Sequence, residues 1–209
     1  MTSSNEDMPK FDWKLIAPKE DALVVQLGSN DGKACEEYGF PEYLKENNNI
    51  AILVEPLKKE FLDLVVNYST AKSRLFFENL AIAHDKGTGH ARLFLDGVES
   101  SLVRKNPDNE NFDVVRVETF QYLIDKYKLT KIDGIFIDIE GLEYEVIKHI
   151  LEECKLKPDF FRFEYILSEE QELIDLMLRD HDYKVCLDMT HAGDKVAVKK
   201  EIYERLSIL

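Results

Sequence analysis

The sequence predicts an α/β domain built on a doubly wound, mostly parallel sheet, and three observations carry that reading. Short apolar runs alternate with stretches of helical periodicity, and the runs stop at turn-forming residues. No Pro- or Gly-rich linker, repeat or low-complexity segment divides the 209 residues. A chain of this length with 44% hydrophobic residues can bury a sizeable core without disulfides or a structural metal. We read residues 1–20 as an N-terminal extension and 21–209 as one domain.

Taken in order, Ala22–Leu27 is a first strand that ends abruptly in Gly28-Ser29-Asn30-Asp31-Gly32. A helix from about Pro41 to Asn47 leads to a second strand, Ile50–Val54, which Glu55-Pro56 closes because proline lacks the ladder donor. Leu57–Tyr68 sets Phe61, Leu64, Val65 and Tyr68 at helical spacing, and Arg74–Ile82 returns to strand character. After the polar turn Asp85–Gly89, His90–Leu95 reads as a hairpin-like excursion. Thr119 suits the cap of a helix holding Tyr122, Leu123 and Tyr127, and Ile132–Ile139 is the most strand-like segment.

From Leu142 to Cys154, positions 142, 146, 147, 150, 151 and 154 form one apolar stripe, with Glu143, Glu145, Lys148, Glu152 and Glu153 opposite. Phe160–Ile166, a helix near Glu169–Arg179 and strands at Tyr183–Leu187 and Lys195–Lys199 complete the series. The last two strands lack a helix between them and should pair antiparallel, whereas parallel neighbours need crossovers.

Charge narrows the partners. Asp and Glu number 41 against 27 Lys and Arg, a net charge of −14, and such a surface repels a phosphate backbone, so no nucleic acid is expected. No apolar run approaches the ~20 residues of a membrane span, and MTSSNEDMPK has no signal-peptide core, so neither a membrane span nor export is expected. Three cysteines, Cys35, Cys154 and Cys186, form no C-x-x-C pair and suit a reducing, cytoplasmic setting. The Asn67-Tyr68-Ser69 sequon is then expected to go unused.

Ligands of doubly wound sheets bind beyond the carboxyl ends of the strands. The first end carries G-x-x-x-G instead of G-x-G-x-x-G; the second carries Glu55, whose carboxylate can accept both hydroxyl hydrogens of an adenosine ribose. Asp31 in the loop, Asp138 and Glu140 after Ile137, and Glu164 after Phe163 crowd acids along the same rim. That crowd penalises a pyrophosphate and suits the sulfonium and ammonium groups of S-adenosylmethionine.

The segments LGSNDG, LVEP, ENLAIAHDKG, VRVETFQYL, DGIFIDIEGLEYEVI and FFRFEY, in this order from about Leu23 to Val198, resemble the FkbM-like S-adenosylmethionine-dependent methyltransferases. The most specific piece is Asp138-Ile139-Glu140-Gly141-Leu142-Glu143, matching the family's D-x-E-G-x-E signature. The resemblance implies a Rossmann-like class I methyltransferase fold, seven strands with the last inserted antiparallel, and an O-methyltransferase activity on a sugar hydroxyl of a glycan or glycoside. It further implies that Gly28, Ser29, Asn30, Asp31 and Gly32 surround the donor's methionine part, Glu55 with Pro56 holds the ribose, and Asn79, Leu80 and Ala81 flank adenine. Asp138 and Glu140 would face the reaction centre. The chain departs from the family at Gln26, where methyltransferases commonly have an acid near the donor's amine, and at Thr119-Phe120-Gln121, which replaces T-L-D.

Methyl transfer to an alcohol needs alignment and removal of the hydroxyl proton. Asp138, Glu140 and Glu164 offer the oxygen donors that Mg²⁺ or Mn²⁺ prefers; alternatively Asp138 holds the donor's ammonium and Glu140 caps the helix from Gly141. His191, between the closing strands, is a candidate base, while His84, His90, His149 and His181 read as surface residues. Ser100 and Ser101 are candidates for substrate contact. Two rival functions stay open: an NAD(P)-dependent short-chain reductase, since Tyr122/Lys126 and Tyr144/Lys148 have the Tyr-x-x-x-Lys spacing, and a non-catalytic nucleoside-binding module partnering a sugar-modifying enzyme.

Overall fold

The computed structural model describes residues 8–18, 20–33, 39–84, 88–96, 100–103, 108–165 and 170–207. Of the residues named above, Cys35, the turn residues 85–87, Ile166 and Glu169 lie outside them. Eleven strands and six α-helices are formed among the described residues, and eight of the strands make one sheet.

The first crossover runs from β2 (Glu20–Leu27) through α1 (Phe40–Glu46) to β3 (Asn48–Val54), and α2 (Lys58–Asn67) leads on to β4 (Arg74–Glu78). The chain then returns to the other side of β2 with β8 (Gly134–Ile137), α4 (Glu143–Glu152) and β9 (Phe160–Glu164). After α5 (Gln171–Asp180), β10 (Tyr183–Asp188) and β11 (Asp194–Lys199) finish the sheet. With β1 (Lys10–Phe11) at one edge, its order is β1-β10-β11-β9-β8-β2-β3-β4, with β11 inserted antiparallel between β9 and β10. Seven of these strands are the expected ones. The eighth, β1, pairs parallel with β10.

Because β3 and β8 flank β2 on opposite sides, the sheet reverses direction at the end of β2, and a crevice opens there. Two cores cover the faces. Odd positions of β2 (Leu23, Val25, Leu27) pack with buried residues of α3 (Phe120–Tyr127), α4 and α5. Even positions Ala22 and Val24 pack with Trp13, Phe40, Tyr43, Leu44 and Leu64 on the other face. Trp13 is fully buried and meets Phe136 edge-on at 4.9 Å between ring centroids.

The structure differs from the sequence reading after β4. Arg74–Ile82 is not one strand: β5 (Ala81–Ile82) leaves the main sheet and pairs parallel with β7 (Phe112–Glu118). The excursion β6 (Gly89–Phe94) also pairs with β7, antiparallel, and completes this three-stranded second sheet. After β11, α6 (Lys200–Leu206) seats Leu206 on the Trp13 core. No helix among the described residues is long and apolar enough to cross a membrane.

Candidate active site

The end of β2 is shaped by backbone geometry. Gly28 has φ +78°, and its N–H and that of Ser29 both donate to the Val54 carbonyl at 3.0 Å, which draws the loop onto β3. Gly32, φ +77°, lies where a Cβ would run into the Tyr68 ring. Asn67 Nδ2 donates to the Asp31 carbonyl at 2.7 Å and fastens the far side of the loop to α2.

Glu55 closes β3 and ties two segments together: its Oε2 accepts from Asn30 N–H and its Oε1 from Leu57 N–H, each at 2.8 Å. Burial pushes this carboxyl up to about 7, against the pull of those two N–H donors. Asn79 turns its amide into the backbone, donating at 2.9 Å to the carbonyls of Glu55 and Pro56. Gln26 is buried within β2, and Ser29 is buried with its hydroxyl 3.4 Å from the Gln26 carbonyl.

The second half of the rim follows β8. Asp138 N–H donates to the Leu27 carbonyl at 3.0 Å, and the turn after it is sharp, with Glu140 at φ +60° and Gly141 at φ +107°. Glu143 holds this turn. Expected on the exposed face of its helix, it is instead 2% exposed, with Oε1 accepting from Ile139 N–H at 3.1 Å and Oε2 from Gly141 N–H at 2.9 Å. A first-turn carboxylate folded back onto free amides satisfies donors that would otherwise be buried alone. Ser101, bridged to Phe94 of β6, donates through Oγ to the Glu140 carbonyl at 2.6 Å.

Carboxylate oxygens of Asp138, Glu140 and Glu164 lie within 4.8 Å of one another. Burial first, and then Glu140, Asp194 and Glu143, lift Asp138 to about 7 despite Arg162. Burial, reinforced by Asp138 and Glu140, lifts Glu164 to about 8. The rim therefore concentrates negative charge that a proton or a cation relieves. Behind it, Arg162 is 3% exposed, donates to Asp188 Oδ2 at 2.6 Å and pairs with Asp194. Asp194 stands opposite Glu164 in register, and its Oδ2 lies 3.1 Å from His191 Nδ1. The sequence reading missed Arg162, Asp188 and Asp194, whose roles arise only from strand pairing.

One cavity of about 490 Å³ joins the two halves. Gly28, Asn30, Glu55 and Pro56 line it on the β2–β3 side, and Asp138 and Glu140 line it on the β8 side. Leu80, Ala81, Ser100 and Leu102 also line it, as do Leu57 and Glu60 at the start of α2; the sequence reading did not single out Leu57, Glu60 or Leu102. Gln26, Ser29, Asp31, Gly32, Asn79, Ser101, Glu164 and His191 are not among its lining residues. Tyr122, Lys126, Tyr144 and Lys148 are also absent from it, and Lys126 pairs with Glu78.

A family model described as the methyltransferase FkbM domain matches residues 26–185. The chain belongs to that family. Among solved structures it is similar to the methyltransferase FkbM from Methylobacillus flagellatus KT, with TM-score 0.55, 16% identity, and coverage of 94% of this chain and 51% of that one. The chain thus spans about half the length of that FkbM structure. Precorrin-6y C5,15-methyltransferase from Geobacter metallireducens GS-15 is similar with TM-score 0.47 and 12% identity, over 89% of this chain and 84% of that one. Aeropyrum pernix fibrillarin in complex with natively bound S-adenosyl-L-methionine is similar with TM-score 0.46 and 11% identity, over 86% and 66%. Comparison with curated proteins finds no match. The FkbM chain described here has the Rossmann-like class I methyltransferase fold.

Proposed function

We propose that the chain binds S-adenosylmethionine and transfers its methyl group to a hydroxyl oxygen of a sugar in a glycan or glycoside. The observation that carries this reading is the single cavity running from Glu55 to Asp138 and Glu140. Each Glu55 oxygen holds one backbone N–H and keeps a lone pair, enough for the two hydroxyls of a ribose. Leu80, Ala81 and Ile82 offer an apolar wall for an adenine ring, and the acids opposite offer a berth for sulfonium and ammonium.

In the transfer, the acceptor oxygen forms a bond to the methyl carbon as the carbon–sulfur bond breaks, and its electron pair leaves on a neutral thioether. The hydroxyl proton goes to a carboxylate of the rim. Asp138 and Glu164, raised to about 7 and about 8, are matched to accept it near neutral pH. His191, oriented by Asp194, is the alternative base. The three carboxylates also fit a hard divalent cation, Mg²⁺ or Mn²⁺, because all are oxygen donors with charge to neutralise. Bound to Asp138, Glu140 and Glu164, such an ion would acidify and orient the acceptor hydroxyl.

A polyhydroxylated acceptor suits a rim made of carboxylates and the Ser100 hydroxyl, all hydrogen-bond acceptors. The free thiols of Cys154 and Cys186 agree with work in the reducing cytoplasm. The decisive experiment is calorimetry with S-adenosylhomocysteine, followed by labelled methyl transfer to a saccharide panel with and without EDTA. Tight uptake and label in a saccharide are expected. Label in a protein side chain would overturn the acceptor class, and uptake without any transfer would leave a nucleoside-binding module. Indifference to EDTA would remove the Mg²⁺ or Mn²⁺.

A further inference from the structure

Away from the rim, two histidines and a glutamate converge. His84 follows β5, His149 lies on α4, and Glu153 stands one turn beyond it at the helix end. Both histidines were expected at the surface, but His149 is 5% exposed and His84 is half-buried. Their rings stack at 4.4 Å with an interplanar angle of 16°. His84 Nε2 is 3.0 Å from Glu153 Oε1, and His149 Nδ1 is 3.5 Å from Glu153 Oε2. One ring nitrogen from each histidine and a Glu153 oxygen all lie within 4.8 Å of one another.

Two features separate this cluster from ordinary packing. His84 Nδ1 and His149 Nε2 are buried with no hydrogen-bond partner, and His149 Nδ1 has only the long 3.5 Å approach to Glu153. Buried polar atoms are rarely left so, and a stacked imidazole pair supplies none of the missing bonds. Second, burial and the neighbouring His84 push His149 below the ordinary histidine range, against the pull of Glu153.

We propose that His84, His149 and Glu153 form a binding site for a zinc-type divalent ion, distinct from the acidic rim. Two neutral imidazoles and one carboxylate are a recognised zinc donor set, whereas Mg²⁺ and Ca²⁺ take oxygen. A tetrahedral ion with bonds of about 2.0–2.1 Å sets its ligand atoms about 3.3 Å apart, between the two separations seen here. Glu153 is half-exposed and free to adjust, and the fourth position is left for water. Ten residues of α4 separate this end from the turn held by Glu143, about 15 Å along the helix. An ion here ties the end of β5 to α4 and so braces the second sheet against the helix that carries Glu143.

The test uses the full chain, stripped with a chelator, refilled with Zn²⁺ and passed through gel filtration. Elemental analysis should find one zinc per chain, zinc-edge X-ray absorption should show imidazole scattering, and zinc should raise the melting temperature. His84→Ala and Glu153→Gln change exposed or half-exposed side chains and should fold. The histidine variant should weaken zinc by about 100-fold or more, since even a group that only supports a ligand costs 10–100-fold. Asp138→Asn and Glu164→Gln should leave zinc uptake unchanged. Zinc well below one per chain, or zinc kept by His84→Ala and lost by Glu164→Gln, overturns the proposal.

Discussion

Gly28 lies so close to the backbone carbonyl of Asp138 that a Cβ on the glycine would overlap that oxygen. The two halves of the rim therefore meet through a residue that must be glycine for two reasons, its φ of +78° and the lack of space. Gly28→Ala should force the β2 and β8 ends apart and weaken S-adenosylhomocysteine binding by at least about tenfold. The left-handed backbone alone costs an alanine about 1–2 kcal/mol. Isothermal calorimetry on the variant checks this, and unchanged affinity would refute the claimed contact.

The rim acids should make the protein less stable as pH rises. Asp138 has an ordinary value of 3.8 and is raised to about 7 in the fold, so between those values the folded state binds more protons than the unfolded state. Stability tied to this group is full only below pH 3.8 and is lost as pH rises through about 7. Asp138→Asn removes that loss. At pH 8 it should raise the melting temperature by at least about 2–4 °C, the shift for 1 kcal/mol in a chain of this size, and the gain should shrink toward pH 4. Thermal melts of both proteins across this range provide the test.

Glu143 acts on the turn and not on a ligand. Glu143→Ala leaves the Ile139 and Gly141 amides without their acceptor and should cost about 2–3 kcal/mol, the worth of hydrogen bonds to a charged group. Urea denaturation measures it. Glu145→Ala, on the same first turn but without such bonds, should change stability by less than about 0.5 kcal/mol.

Trp13 is part of the fold's core although it stands outside the strand-helix alternation. Its ring meets Phe40, Tyr43, Phe136 and Phe160 within 6.5 Å between centroids. Trp13→Ala should destabilise the protein by about 3–5 kcal/mol, the cost of removing a large aromatic from a packed core. A melting temperature within a degree of the parent would show that this cluster is dispensable.

The main sheet was legible because strands buried on both faces are continuous apolar runs, as in Ala22–Leu27 and Ile135–Ile137. The second sheet was hidden: β7 alternates buried Val115 and Val117 with exposed Val114 and Arg116, a two-residue period interrupted by charge. Strand β1 has two residues and owes its form to β10 alone. At the site, residues that stand at strand ends could be placed from the sequence, as Glu55, Asp138 and Glu140 show. Those whose position depends on a distant element could not. Glu143 shares the charge pattern of an exposed face, yet its side chain is drawn back by two amides. His149 sits beside the apolar stripe of α4 and is covered by the stack with His84.

The reversed direction of β11 has one more effect. A parallel strand would bring its last residue to the rim, but β11 brings its first, Asp194, so both ends of the connection Met189–Gly193 open on the same side as Glu164. Residues added between Asp188 and Asp194 would build a taller wall over the acids while the Glu55 half kept its shape. One side of the crevice is thereby free to diversify, and the other is held constant by the neighbouring strands.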